Sequence, residues 1–194
     1  MSAGGCRQAW NNAQPHQRAP AIDAAFPDCK CEAHSLCAVG GDGVGDNELL
    51  ARILTSPTDY DETTSTILTQ RLMHLYSLGM SVIRQGANDD EIIGTIDELT
   101  NADEPRKLVG AVIIPTSMIR AFADPKRWFA AYATDDREKI HHVDLCGTTP
   151  DGSNSQVKKI SSARRYALRD AMSAHVILAG DAPALLACLR AAGI

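Results

Sequence analysis

Leu108-Val109-Gly110-Ala111-Val112-Ile113-Ile114, followed at once by Pro115-Thr116-Ser117, is the stretch whose reading sets the fold class. Seven almost wholly apolar residues, rich in β-branched side chains, suit a strand covered on both faces. Pro115 ends it, and Thr116 or Ser117 then caps a helix of one to two turns with Met118, Ile119 and Phe122. Downstream, residues 128–133 and 141–145 read as two further strands, joined by the charged turn 134–139. The polar loop 148–155 (TTPDGSNS) leads to a long helix over 157–174, then a strand at 175–179 and a helix over 182–192 with Pro183 in its first turn.

Upstream, Asn88 caps a helix carrying Ile92, Ile93, Ile96 and Leu99, with Asp89, Asp90 and Glu91 where the helix dipole favours anions. Residues 80–83 form a short strand after Gly79, and Leu68, Leu72, Leu75 and Tyr76 recur at helical spacing before it. Asp46 or Asn47 caps a helix through Leu49, Leu50, Ile53 and Leu54 that Pro57 ends. Alternating strands and helices predict an α/β or α+β single domain over 46–194, with a small mixed sheet and about five helices. Residues 1–45 carry three prolines, the run GGDGVG at 40–45 and few large apolar side chains, so they read as a flexible tail.

The 194 residues are 44% hydrophobic and 22% charged, enough for a real core, but aromatics at 5% leave that core to aliphatic side chains. No apolar run is long enough to span a bilayer, and residues 1–17 lack the basic-then-apolar layout of a secretory signal. The expectation is a soluble cytoplasmic chain without a membrane partner. Charge is uneven: residues 46–104 hold three basic and twelve acidic side chains, a net −9, while 105–150 carry +2 and 151–194 carry +3. The back half therefore suits a partner protein or a small anionic ligand, with nucleic acid a less favoured alternative.

Three groups of residues carry chemistry. Cys29, Cys31, His34 and Cys37 are the ligand types zinc takes, in a segment with little core of its own. Their C-x-C spacing is tighter than common zinc fingers use, so exposed thiols and no cofactor is the simpler reading. Structural disulfides are not expected in a cytoplasmic chain with Cys146 in a strand and Cys188 in a helix. In the strand Ile140 to Cys146, side chains alternate, placing His142 and Asp144 together on the face opposite Val143 and Leu145. An imidazole beside a carboxylate suits acid–base or metal work; an exposed edge strand is the alternative. Finally, Lys158, Arg165 and Arg169 lie on one side of the long helix, and Ser153 precedes its N-terminus, a generic anion site. Arg84 and Arg120 offer two further guanidinium forks for phosphate.

Ser161 to Leu168 (SSARRYAL) resembles the Ala-Arg-Arg-Tyr-Ala-Leu signature of phage single-strand annealing proteins of the ERF type. The glycine-serine run that precedes the signature there falls further upstream here, at Gly152-Ser153, and no other feature of that family occurs in the chain. The sequence has no P-loop, dinucleotide fingerprint, nucleophile elbow, H-E-x-x-H or EF-hand pattern. The first expectation is thus a binding module acting through its basic C-terminal half. The alternatives are a small hydrolase-type enzyme using His142 and Asp144, with or without a metal, and a zinc-organised adaptor.

Overall fold

The computed structural model describes residues 3–37, 42–101, 104, 106–135, 139–148 and 161–194. In chain order, α1 (Ala3–Asn12) and α2 (Arg18–Ala25) precede β1 (Leu49–Ser56), the hairpin of β2 (Tyr60–Asp61) and β3 (Thr66–Ile67), and β4 (Met80–Arg84). Then come α3 (Asp89–Thr100), β5 (Lys107–Pro115), α4 (Thr116–Ala121), β6 (Phe129–Ala133) and β7 (His142–Gly147). The C-terminal part is α5 (Ser162–Ser173), β8 (Val176–Leu178) and α6 (Ala182–Ala192). Six strands form one sheet in the order β6-β7-β4-β1-β5-β8, each neighbouring pair antiparallel. The chain is a single α+β domain, and the expected mixed sheet is wholly antiparallel.

The decisive stretch behaves as its composition demands. β5 lies between β1 and β8 and is buried on both faces. Gly110 has φ +151, and a Cβ there would sit 2.0 Å from the Ile177 carbonyl oxygen, so only glycine lets β8 close on β5. On one side of the sheet Leu50, Leu54, Val82, Val112, Ile114, Val143 and Leu145 pack under Leu168 and Met172 of α5. On the other, Ala51, Ile53, Ile83, Ala111 and Ile113 pack under Ile92 and Ile96 of α3 and Leu185 and Leu189 of α6. Each Leu, Ile, Val or Met side chain among these contributes about 1.5–3 kcal/mol by leaving water. The Asn88 cap is complete: its side chain accepts from the Glu91 N–H while Glu91 accepts from the Asn88 N–H.

Three expectations are corrected. The helix read over Leu49 to Leu54 is strand β1; a stretch buried on both faces of a sheet loses the alternation that would have marked it. The helical spacing of Leu68, Leu72, Leu75 and Tyr76 belongs to a 3-10 turn at Arg71–His74 that tucks Leu72, Leu75 and Tyr76 into the interior. The flexible tail is the third. Residues 3–37 form α1, α2 and a 3-10 turn at Lys30–Ala33, closing the β6–β7 end of the second sheet face with Cys6, Trp10, Ala19, Ile22 and Leu36 against Ala130, Tyr132 and Cys146.

Apolar surface is not all that fixes that segment. A disulfide joins Cys6 to Cys31, correcting the expectation of no structural bridge. Glu32, 3% exposed, accepts from the Ala131 N–H at 2.6 Å and is paired with Arg120 and Arg127. Burial pushes the Glu32 carboxyl up, and the Ala131 N–H and the two guanidinium groups pull against that rise. Leu36 donates its N–H to the Ala133 oxygen, so the outer edge of β6 is occupied by this segment. No described helix is long and apolar enough to cross a membrane.

Candidate functional site

Antiparallel pairing across β6, β7 and β4 builds two polar rows on the second sheet face. Tyr132, Asp144 and Ser81 are cross-strand partners in one row, and His142 pairs with Ile83 in the next. Thr134, one residue past β6, donates its N–H to the His142 oxygen and so lies beside the imidazole. β7 is flanked by β6 and β4, so His142 and Asp144 are not the solvent face of an edge strand. The alternation read from the sequence holds: Val143 and Leu145 point into the aliphatic interior.

Thr134 links the pair. Its Oγ1 donates to Asp144 Oδ2 at 3.1 Å and lies 2.8 Å from His142 Nδ1. One hydroxyl thus touches both the carboxylate and the imidazole, and its bond to Nδ1 takes its direction from the tautomer of the ring. Nε2 lies 3.9 Å from Asp144 Oδ1. The side chains are 24% exposed for His142 and 14% for Asp144, so the imidazole meets solvent while the carboxylate is mostly withdrawn. Burial raises the Asp144 carboxyl above the ordinary aspartate range, against the opposing pull of His142, Thr134, Arg18 and Ser81.

Two openings flank this pair. A cleft of about 120 Å³ lies against α3, with Ala51, Ile53, Ser81 and Ile83 as its floor and Glu91, Thr95, Leu99, His141 and His142 on its walls. A smaller one of about 90 Å³ reaches Asp144 and Cys146 past Trp10, Arg18 and Ala19. His141 is bound by a second carboxylate: its N–H donates to Glu91 Oε1 at 3.2 Å, and Nδ1 lies 2.7 Å from Glu91 Oε2. Burial alone would raise Glu91, but the bonds from Asn88 and His141 outweigh it and hold the carboxyl low.

The other sequence candidates do not converge here. Arg84 is spent on Glu48 in a two-pronged pair and on the Asp42 and Gly43 carbonyls. Arg120 pairs with Glu32 and Asp46 and donates to the Val44 oxygen at 2.7 Å. Arg165 reaches Ser162 Oγ at 3.0 Å, and Arg169 bonds Asp170 and lies 4.9 Å over the Tyr166 ring. Ser153 and Lys158 lie outside the described residues. The zinc set is corrected on one member: the Cys31 sulfur is bonded to Cys6 and is no thiolate. Cys29 is buried, its thiol pushed up to about 12 by that burial first and by Glu32 next. Among the described residues no group of three His, Cys, Asp or Glu side chains is placed to hold a metal ion.

Sequence reasoning missed Thr134, Ser81 and Glu91 as members of the cluster. Ser81 carried a signal, a lone hydroxyl inside the apolar strand Met80–Arg84, on the face that alternation assigns to Asp144. Thr134 and Glu91 carried none, since each joins only when strand pairing and the α3 cap are known. No protein-family model, curated protein or solved structure matches the chain, and the likeness at Ser161 to Leu168 extends to no family match.

Proposed function

We propose that the chain is a small hydrolase-type enzyme whose acid–base group is His142, set by Thr134 and Asp144 in the cleft beside α3. The observation that carries the reading is the bridging hydroxyl of Thr134, 2.8 Å from His142 Nδ1 and 3.1 Å from Asp144 Oδ2. In this reading Nδ1 carries the ring proton toward that hydroxyl, Nε2 takes a proton from water or a ligand hydroxyl, and Asp144 Oδ1, 3.9 Å from Nε2, meets the imidazolium that results. The apolar floor and the hydroxyl of Ser81 suit a small ligand with both apolar and polar parts. The metal-assisted form of this reading has no three-ligand set among the described residues to support it. The chain would act where Cys6–Cys31 stays oxidised, a condition the cytoplasm rarely meets.

Hydrolysis of p-nitrophenyl acetate and p-nitrophenyl phosphate, with melting temperature measured alongside, tests the assignment. His142→Gln is expected to lose roughly 100-fold or more of any rate above buffer, with an unchanged melt. Equal rates, or a fall in stability that accounts for the loss, would make His142 structural. A wild type without turnover leaves the second reading in place: a module engaging a partner protein or anionic ligand through the basic C-terminal half. That reading keeps one specific support, the 49% exposed Tyr166 with Arg169 stacked on it, two residue types enriched at binding hot spots. Its test is retention on phosphocellulose, which Arg165→Glu with Arg169→Glu should weaken.

A further inference from the structure

We propose that the Cys6–Cys31 bridge is a redox latch: its reduction lets α1 leave the sheet, uncovering Cys146 and the α1–α2 side of the His142–Asp144 pair. The two ends of the bridge are held very unequally. Cys31 sits in the 3-10 turn Lys30–Ala33, which Glu32 pins through the Ala131 N–H, Arg120 and Arg127, and which the Leu36–Ala133 bond extends along β6. Cys6 sits in α1, ten residues with Gly4 and Gly5 in its first turn and no acidic residue there. A helix that short is marginal on its own, and glycines weaken it further. Beyond the bridge it is tied by the Arg7 bond to the Ser35 oxygen at 3.0 Å, by Trp10 tilted 6.1 Å from Tyr132 with Arg18 5.4 Å over its ring, and by apolar packing on Ala19 and Ile22 of α2, contacts without the buried ion pairs that seat Cys31's turn. Cutting the bridge therefore frees the weak end and leaves the strong one seated.

The chemistry balances with a phosphine as reductant: phosphine, disulfide and water give phosphine oxide and two thiols, the sulfur–sulfur bond taking two electrons. A dithiol does the same by exchange, leaving its own disulfide. Cys146 is a built-in reporter, because it is 1% exposed and shares its small cavity with Trp10 and Ala19. Cys188, half-buried on α6 at the far end of the sheet, is the internal control. The latch does not depend on the hydrolase reading, since its readout is thiol exposure and not turnover.

The experiment alkylates the full chain, taken under denaturant directly from cells for the thiol count, and natively with iodoacetamide before and after tris(2-carboxyethyl)phosphine for rates. The expected result is four thiols in the untreated denatured chain, and a Cys146 rate at least tenfold faster after reduction with Cys188 unchanged. Cys6→Ser should give the fast Cys146 rate without reductant. Six thiols in the untreated chain overturn the proposal. So does a Cys146 rate indifferent to reduction, which would show α1 docked without the bridge. Cys146 and Cys188 rising together would overturn it as well, by making the bridge a support of the whole fold.

Discussion

One face of the sheet is closed by two different chemistries. Over β1, β4, β5 and β8, α3 and α6 lay down Ile92, Ile96, Leu185 and Leu189, so that end is held by aliphatic burial. Over β6 and β7, residues 3–37 supply few large aliphatic side chains and are held by a disulfide and a buried carboxylate between two arginines. The first kind of closure is graded, since each methylene lost costs a little. The second is concentrated in one group, since removing Glu32 takes the shared acceptor from Arg120, Arg127 and the Ala131 N–H at once.

The largest effect is expected from Glu32→Ala, which leaves Arg120, Arg127 and the Ala131 N–H without their shared acceptor. The loss should be about 3–5 kcal/mol in denaturant unfolding. A loss under about 1 kcal/mol would break the comparison. Ile92→Ala at the aliphatic end should cost about 2–5 kcal/mol, while Ile92→Val should cost about 0.5–1.5, the graded response that the other end lacks. Asn88→Ala, which removes one side of the α3 capping box, should cost about 1 kcal/mol and lower the melt without changing the thiol count.

The smallest effects are in pH dependence and have opposite signs. Asp144 is raised in the fold, so the folded chain binds its proton more tightly than the unfolded chain does. Its favourable contribution is present below the ordinary aspartate range and is lost as pH rises through the folded value. Asp144→Asn should therefore melt higher than wild type near neutrality, the gap closing toward about pH 4. Glu91 is lowered, so its contribution is present above the ordinary glutamate range and lost as pH falls. Glu91→Gln should melt lower than wild type near neutrality, and the two variants should approach wild type from opposite sides on acidification.

The same division governs what could be read in the chain. β5, β6, β7, α3, α4 and α6 were legible because apolar content, caps and terminators agreed locally, as at Asn88, Pro115 and Pro183. β1 was not, because burial on both faces erased the alternation that separates strand from helix. The N-terminal segment was not, because its stability comes from partners far away in sequence: Cys6 with Cys31, and Glu32 with Ala131 at 99 residues' separation. The candidate site divides likewise. His142 and Asp144 are neighbours on one strand and showed themselves, whereas Thr134 and Ser81 enter only through pairing register.

The sheet also has a seam. β1 and β5 are joined over eight residue pairs, but β1 and β4 over only two, Leu50 with Arg84 and Ala51 with Ile83. Beyond them Gln85 donates its N–H to the Leu49 oxygen at 2.9 Å and the Arg52 side chain donates to the Ser81 oxygen at 3.0 Å. Mechanically the domain is a book of two leaves, β6-β7-β4 and β1-β5-β8, bound along a short spine. Under tension the leaves should part at that spine before either tears, and the cleft beside His142, whose floor straddles the spine, would be the first region to gape.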